Sequence, residues 1–164
     1  MSGLTVRVRE AGPDDWEALK KIRLEALFDT PEAFGSTFEV SRTWSDDQWR
    51  QMVQNRPNFL AELDGEVVGM VAGGRSERLP GTGWMYGMFV TPNQRGTGTA
   101  EMLVDAVSDW ARAQGFRELY LHVGDSVPRA RAFYEKVGFR PSGDSMTMDR
   151  DPQITLITMV RELD

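Results

Sequence analysis

Residues 95 to 101 read RGTGTAE, an arginine, two glycines and two threonines set directly ahead of a helical pattern. This order of residue types builds a turn whose backbone N–H groups converge, because Gly96 and Gly98 accept conformations closed to other residues. The turn feeds a helix beginning near residue 98, whose first amides lack partners and whose dipole end is positive. With the Arg95 charge beside it, such a turn can hold a phosphate or pyrophosphate. Two common phosphate loops do not fit. A nucleoside-triphosphate loop needs a lysine and then Ser or Thr after its last glycine, whereas Gly98 is followed by Thr99 and Ala100. A dinucleotide fingerprint needs a third small residue where Glu101 stands, and it ordinarily follows the first strand of a doubly wound sheet. On the glycines alone, a ligand-free strand-to-helix turn stays open.

The elements that must position this turn are legible from periodicity. Leu4, Val6 and Val8 alternate with polar residues as in a half-buried strand. Trp16, Leu19, Ile22, Ala26 and Leu27 then fall on one helical face, with Pro13 and two aspartates in its first turn and DTP as its stop. Residues 31 to 44 suggest a short helix or two, and Ser45 with Gln48 forms a capping box ahead of another. The run NFLAELDGEVVGMVAGG predicts a hairpin about Asp64-Gly65. After the polar loop RSERLPGTG, WMYGMFV predicts a strand in which Gly87 marks a bulge or a close backbone approach. Met102, Leu103, Ala106, Val107 and Trp110 form the apolar stripe of the helix behind the glycine turn, which Gly115 closes. ELYLHV is a strand, Ser126 and Pro128 start the helix VPRARAFYEKV, Gly138 ends it, and QITLITMV is the last strand. The predicted order is strand, helix pair, three strands, helix, strand, helix, strand. It describes an α/β domain with an antiparallel first half and a βαβ crossover in the second.

Composition narrows the function. At 164 residues the chain has the size of one domain with a real core, and it contains no cysteine. Disulfides, zinc–thiolate sites and a cysteine nucleophile are thereby excluded, and a reducing, cytoplasmic setting is expected. No apolar run has the length of a signal segment or a membrane span. A net charge of −6 argues against sequence-independent nucleic-acid binding, which needs a basic surface. Ten acids face five bases over residues 10 to 50, whereas six face seven over residues 92 to 140, so an anionic ligand is better accommodated in the second half.

The glycine turn has a partner downstream. The stretch VTPNQRGTGTAEML resembles the acetyl-coenzyme A signature of the GNAT superfamily of N-acetyltransferases. Arg95, Gly98 and Ala100 match its R/Q-x-x-G-x-G/A pattern, and Val90 and Pro92 match its lead-in. RARAFYEKVGFRPSGD resembles the family's C-terminal motif, with Ala130, Tyr134, Lys136, Gly138 and Phe139 in register. The resemblance covers nearly the whole chain in element order. It implies a GNAT-type mixed, mostly antiparallel central sheet flanked by helices with splayed central strands, in a single N-acetyltransferase domain over residues 1–164.

It also implies roles. Backbone groups of Met88, Phe89 and Val90 would hydrogen-bond the pantetheine arm of acetyl-CoA as an added strand would. An N–H at the Gly87 bulge would stabilise the oxyanion. The amides of Arg95, Gly96, Thr97, Gly98, Thr99 and Ala100 would hold the pyrophosphate. Tyr134 matches a tyrosine that protonates the departing thiolate in many members; as a residue, it equally suits packing beside Phe133. The family's frequent Asn seven residues before that tyrosine is Val127 here, which questions one pantetheine contact. Arg129 and Arg131 either reach the adenine end or are solvated. Many members carry a Glu on the strand that here reads WMYGMFV and has no acid. His122 alternates out of phase with Leu119, Leu121 and Val123, so it faces the other sheet surface, where it could relay a proton. A structural histidine, or Glu39 or Tyr86 acting through water, are the alternatives. Phe34, Phe38, Glu39 and Trp44 are the expected acceptor wall, an acid among aromatics suiting an amine, or else they simply pack the helices.

The expected protein is thus an acetyl-CoA-dependent N-acetyltransferase in which a primary amine attacks the thioester directly, with no metal. The acceptor would be a small-molecule or peptide amine, with no nucleic acid or membrane as partner, and the last strand could pair or pack across a homodimer. The alternative is a non-catalytic acyl-CoA-binding or regulatory module on the same fold.

Overall fold

A computed structural model of the chain describes residues 5–76 and 79–164. The expected first position of the opening strand, Leu4, and two residues of the polar loop after the hairpin lie outside them. Seven strands form one sheet in the order β1-β2-β3-β4-β5-β7-β6. They are β1 (Arg7–Glu10), β2 (Asn58–Leu63), β3 (Glu66–Arg75), β4 (Gly83–Val90), β5 (Glu118–Gly124), β6 (Arg140–Met148) and β7 (Asp151–Glu162). Every neighbouring pair is antiparallel except β4 and β5, which are parallel and joined through a helix. The helices are α1 (Trp16–Asp29), α2 (Phe38–Ser41), α3 (Asp46–Asn55), α4 (Thr99–Ala113) and α5 (Pro128–Lys136).

Local signals explain most boundaries. The α3 capping box forms: Gln48 N–H donates to Ser45 Oγ at 3.3 Å, and Ser45 N–H donates to Gln48 Oε1 at 2.8 Å. The β2–β3 hairpin turns on Asp64 (φ 52°) and Gly65 (φ 81°), two consecutive left-handed residues that match the twist of the flanking strands. Three expectations need correction. Ser126 does not cap α5; Val127 occupies that position without a side-chain cap, and Pro128 opens the helix. Met102 is 38% exposed, and the inward stripe of α4 is instead Leu103, Val104, Val107 and Ala111. The third is β6, a strand where none was expected. Pro141 and Gly143 hide its β pattern, but it sits at the sheet edge, where a missing donor and an irregular ladder are tolerated.

The sheet buries both faces. Leu103, Val104, Val107 and Ala111 of α4, with Phe133 and Tyr134 of α5, pack on a cluster that includes Phe59, Val71, Leu119, Leu121, Val123 and Met159. The opposite face meets Leu19, Ile22, Ala26 and Leu27 of α1 and Val53 of α3 around Leu60, Met70 and Phe89. Each large side chain so buried contributes roughly 1.5–3 kcal/mol relative to exposure. The close approach of α4 depends on small residues beneath it. A Cβ on Gly73 would stand 2.8 Å from the Trp110 ring, and one on Gly69 would stand 3.1 Å from Leu103 Cδ1. Replacing Gly73 by Ala must push the Trp110 ring off the sheet. The expected loss is about 1–3 kcal/mol, measured as a lower urea midpoint with an unchanged slope.

Candidate functional site

β4 and β5 pair at only two positions, Gly83 with Leu119 and Trp84 with Tyr120. Beyond Trp84 the strands diverge, and the facing edge of β4 carries backbone groups that β5 does not satisfy. Two features turn β4 away. Its register with β3 shifts between Met70 and Ala72, and opposite that shift Gly87 takes φ 62°. β5 meanwhile pairs with β7 along its whole length on the other side. The gap opens into a cavity of about 620 Å³.

One end of the cavity is the glycine turn. Gly96 (φ 80°) and Gly98 (φ 90°) both hold left-handed backbone, and no atom lies within 4 Å of a Cβ placed on either. Gly98 is the residue before α4, and the first helical bond runs from Met102 N–H to Gly98 C=O at 3.1 Å. The amides of Thr99, Ala100 and Glu101 therefore have no intrahelical acceptor. The turn thus offers an open concavity, free amides and a positive helix end, which suit a pyrophosphate. Arg95, Gly96, Gly98 and Ala100 line the cavity, as do Met88, Phe89 and Val90. Thr97 and Thr99 brace the turn instead. Thr97 Oγ donates to Gln94 C=O at 2.6 Å and lies 3.0 Å from the Thr99 hydroxyl, which is buried.

Arg95 is held from two sides. Its Nη2 donates to Asp29 Oδ2 at 2.7 Å and its Nε to Val90 C=O at 3.2 Å, which ties the turn to the end of α1. The Thr30 hydroxyl and Arg95, both hydrogen-bonded to it, hold the Asp29 carboxyl below the usual carboxylate range. Arg129 also lines the cavity, whereas Arg131 lies 3.4 Å from Glu135 on its own helix. Lys136 and Glu101 close that end at 3.5 Å from each other. Five cavity residues are Arg or Lys (positions 23, 56, 95, 129 and 136) against one acid, Glu101. The cavity is basic in a chain of net charge −6.

Tyr134 reaches the cavity from α5, between Phe133 and Phe139 at ring separations of 5.5 and 5.8 Å. Burial pushes its phenol far above the usual tyrosine range, so it stays a proton donor. His122 lines the opposite wall, on the sheet face away from Leu119, Leu121 and Val123. Its Nδ1 is 3.2 Å from Thr158 Oγ, and its ring lies 4.8 Å from Trp84. Val127 lines the cavity where the Asn was considered.

The expected acceptor wall is only partly assembled. Phe34 lines the cavity, but Phe38, Glu39 and Trp44 do not. Phe38 meets Phe28 edge-on at 5.5 Å, and Trp44 packs on Trp49 at 4.8 Å. Glu39 points to solvent beside Arg42, its side chain 77% exposed. Tyr86 lines the cavity, and burial raises its phenol above the usual range. Two residues not singled out from the sequence take the vacated place, Arg23 from α1 and Arg56 from the end of α3. The sequence did carry a sign of the first. Arg23 follows Leu19 by four residues and precedes Leu27 by four, inside an otherwise apolar stripe.

The family model for the acetyltransferase (GNAT) family matches residues 16–139. The chain belongs to that family. Among curated relatives, mycothiol acetyltransferase of Thermobispora bispora is 30% identical over 141 residues, 84% of this chain and 46% of its own length. Human N-acetyltransferase 8 is 34% identical over 94 residues, 53% of this chain and 40% of its own length. The chain thus spans less than half the length of these relatives. Solved structures share the fold. A GNAT acetyltransferase from Streptococcus pneumoniae superposes with a TM-score of 0.80 at 20% identity, covering 98% of this chain and 100% of the other. Salmonella typhimurium yncA, solved with its cofactor acetyl-CoA, gives 0.79 at 21% identity, covering 99% of this chain and 95% of the other. The splayed, mostly antiparallel sheet expected from the GNAT motifs is therefore the observed one.

The Asp29–Arg95 pair predicts a defined acid response. The lowered carboxyl contributes stability above its unfolded-state value, and that contribution is lost as pH falls through the folded one. Asp29→Asn should cost less than about 1 kcal/mol near neutral pH, and it should flatten the fall in urea midpoint below pH 5. An unchanged acid profile would show the pair to be energetically silent.

Proposed function

We propose that the chain is an acetyl-CoA-dependent N-acetyltransferase that moves an acetyl group to a primary amine by direct attack. The observation that carries this reading is the gap between β4 and β5, with the glycine turn at one end and Tyr134 on its wall. Acetyl-CoA, when bound, supplies an activated thioester. Salmonella typhimurium yncA, of the same fold, was solved with that cofactor. In this chain the amides following Gly98 and the Arg95 charge suit the pyrophosphate. The free edge of β4 over Met88, Phe89 and Val90 suits an amide-bearing arm.

Tyr134 is the proton donor to the leaving sulfur. Its burial keeps the phenol protonated, and donation becomes favourable only as negative charge develops beside it. His122 accepts the proton lost by the amine. The competing candidates are weaker on physical grounds: Glu39 stands outside the cavity, and buried Tyr86 is held protonated. A backbone N–H at the Gly87 bulge is the oxyanion donor. The acceptor is a small-molecule or peptide amine entering from the α1 and α3 side, and the chain forms a single N-acetyltransferase domain.

Calorimetry should show acetyl-CoA binding, and thiol release should follow when a suitable amine is added. Tyr134→Phe should lower kcat by about 100-fold or more with coenzyme affinity preserved. His122→Gln should lower kcat/KM with coenzyme affinity preserved. Failure of the wild-type protein to bind acetyl-CoA would end this reading. Binding without thiol release for every amine would instead favour a non-catalytic acyl-CoA-binding module.

A further inference from the structure

Arg23 stands at the i+4 position from Leu19 on the face of α1 that also carries Ile22, Ala26 and Leu27. Helix geometry therefore turns it toward the sheet with those apolar residues. Its guanidinium reaches the β4 bulge, where Nη1 is 3.0 Å from the position of a Cβ on Gly87. The Arg23 Nε is buried with no hydrogen-bond partner. Arg56 lines the same cavity. Among the described residues, no carboxylate pairs with either arginine.

What does cover them leaves their donors free. Arg23 lies over the Phe34 ring at 5.6 Å, and Arg56 over the Tyr86 ring at 5.1 Å. Stacking occupies the flat face of a guanidinium, while its N–H bonds lie in the plane and point past the ring. Burial and the nearby Arg56 charge bring Arg23 down to about 10, so it remains charged near neutral pH at a cost in desolvation. Two like charges set in one partly buried cavity are unfavourable unless an anion arrives between them.

We infer that Arg23 and Arg56 bind the carboxylate of the acceptor, which makes the acceptor an α-amino acid. A planar carboxylate matches the fork of an arginine, and two forks can share its two oxygens. The second element is distance. A carboxylate on Arg23 sits beside Gly87, and in an α-amino acid the amine is only one carbon away from that carboxylate. Such an acceptor would present its amine at the bulge where the reacting carbonyl is proposed to lie. This inference rests on the acetyl-transfer reading and narrows its acceptor.

The test assays the full chain with acetyl-CoA against proteinogenic L-amino acids and their carboxamides, which keep the amine and lose the anion. At least one amino acid should be acetylated with kcat/KM about 30-fold or more above its carboxamide. Arg23→Gln and Arg56→Gln should each raise KM for that acceptor and shrink the preference, with acetyl-CoA affinity unchanged as a check on folding. Arg23→Lys, which keeps charge without the fork, should recover part of the loss. Equal use of carboxamides, or acetylation confined to amines without a carboxylate, would overturn the inference and leave acetyl transfer standing. If no amine is acetylated, the transfer reading itself fails. Titration of N-acetyl amino acids and their amides into protein with coenzyme A then still decides. Selective carboxylate binding that Arg23→Gln abolishes supports the inference, and equal or absent binding overturns it.

Discussion

The parting of β4 from β5 is the constraint on which the other features depend. A parallel pair that holds for two residues and then opens leaves backbone donors and acceptors along both inner edges. Groups of that kind cannot be buried without partners, so the gap must admit water or a ligand with amides of its own. Closure is prevented on both sides. β5 is committed to β7 along its full length, and the bulge at Gly87 turns β4 away. What keeps the two halves one body is α4, whose Leu103, Val104, Val107 and Ala111 are fully buried against strands on both sides of the gap. The helix that spans the split also brings its own N-terminus to the mouth of the cavity. Mechanical bridging and the open helix N-terminus at the cavity therefore come from a single element.

The two walls differ in chemistry because the two sheet faces differ. On the α4 and α5 side lie the glycine turn, Tyr134 and the aliphatic cluster. The other face carries a row of rings, in which Trp84 lies 5.2 Å from Tyr120 and 4.8 Å from His122. Strand alternation imposes this division: Leu119, Leu121 and Val123 point one way, so Tyr120 and His122 must point the other. A basic cavity inside an acidic protein follows from placement rather than composition. The acids of the first half lie largely on solvent-facing surfaces such as Glu39 and Asp47, while Arg23 is turned inward.

Most of the fold was legible in the sequence because its signals are local. Capping at Ser45, the Asp64-Gly65 turn and the Gly87 bulge each depend on a few adjacent residues. The misreadings share a different origin. β6 draws its stability from pairing with β7, a tertiary partner that its Pro and Gly content does not announce. The glycine turn could be read as a site because its chemistry is backbone chemistry, carried by contiguous residues. The rest of the cavity wall could not, because it gathers side chains from α1, the end of α3 and β4. Aromatic and acidic character pointed to Phe38, Glu39 and Trp44, but each is engaged within the helical segment or with solvent. Phe34 alone of that group was turned inward. The cation placed within the α1 stripe was the better pointer, since a charge on an apolar face demands a partner that composition does not name.

Arg23 and Gly87 explain one another. The positive φ of Gly87 already disfavours a side chain, and the 3.0 Å approach of Nη1 means that a methyl group there would also displace the arginine. The bulge thus does two things at once: it bends β4 out of register and it opens room for a charge delivered from another layer of the fold. That charge has a long reach across the core because Leu19, Ile22, Ala26 and Leu27 fix the rotation of α1 against the sheet. Asp29, at the far end of the same helix, holds Arg95 at the glycine turn. A single helix therefore holds two cations on one cavity, one at the glycine turn and one at the bulge. Arg23 is placed by the packing of α1, whereas Arg95 is placed by its own turn and its ion pair with Asp29.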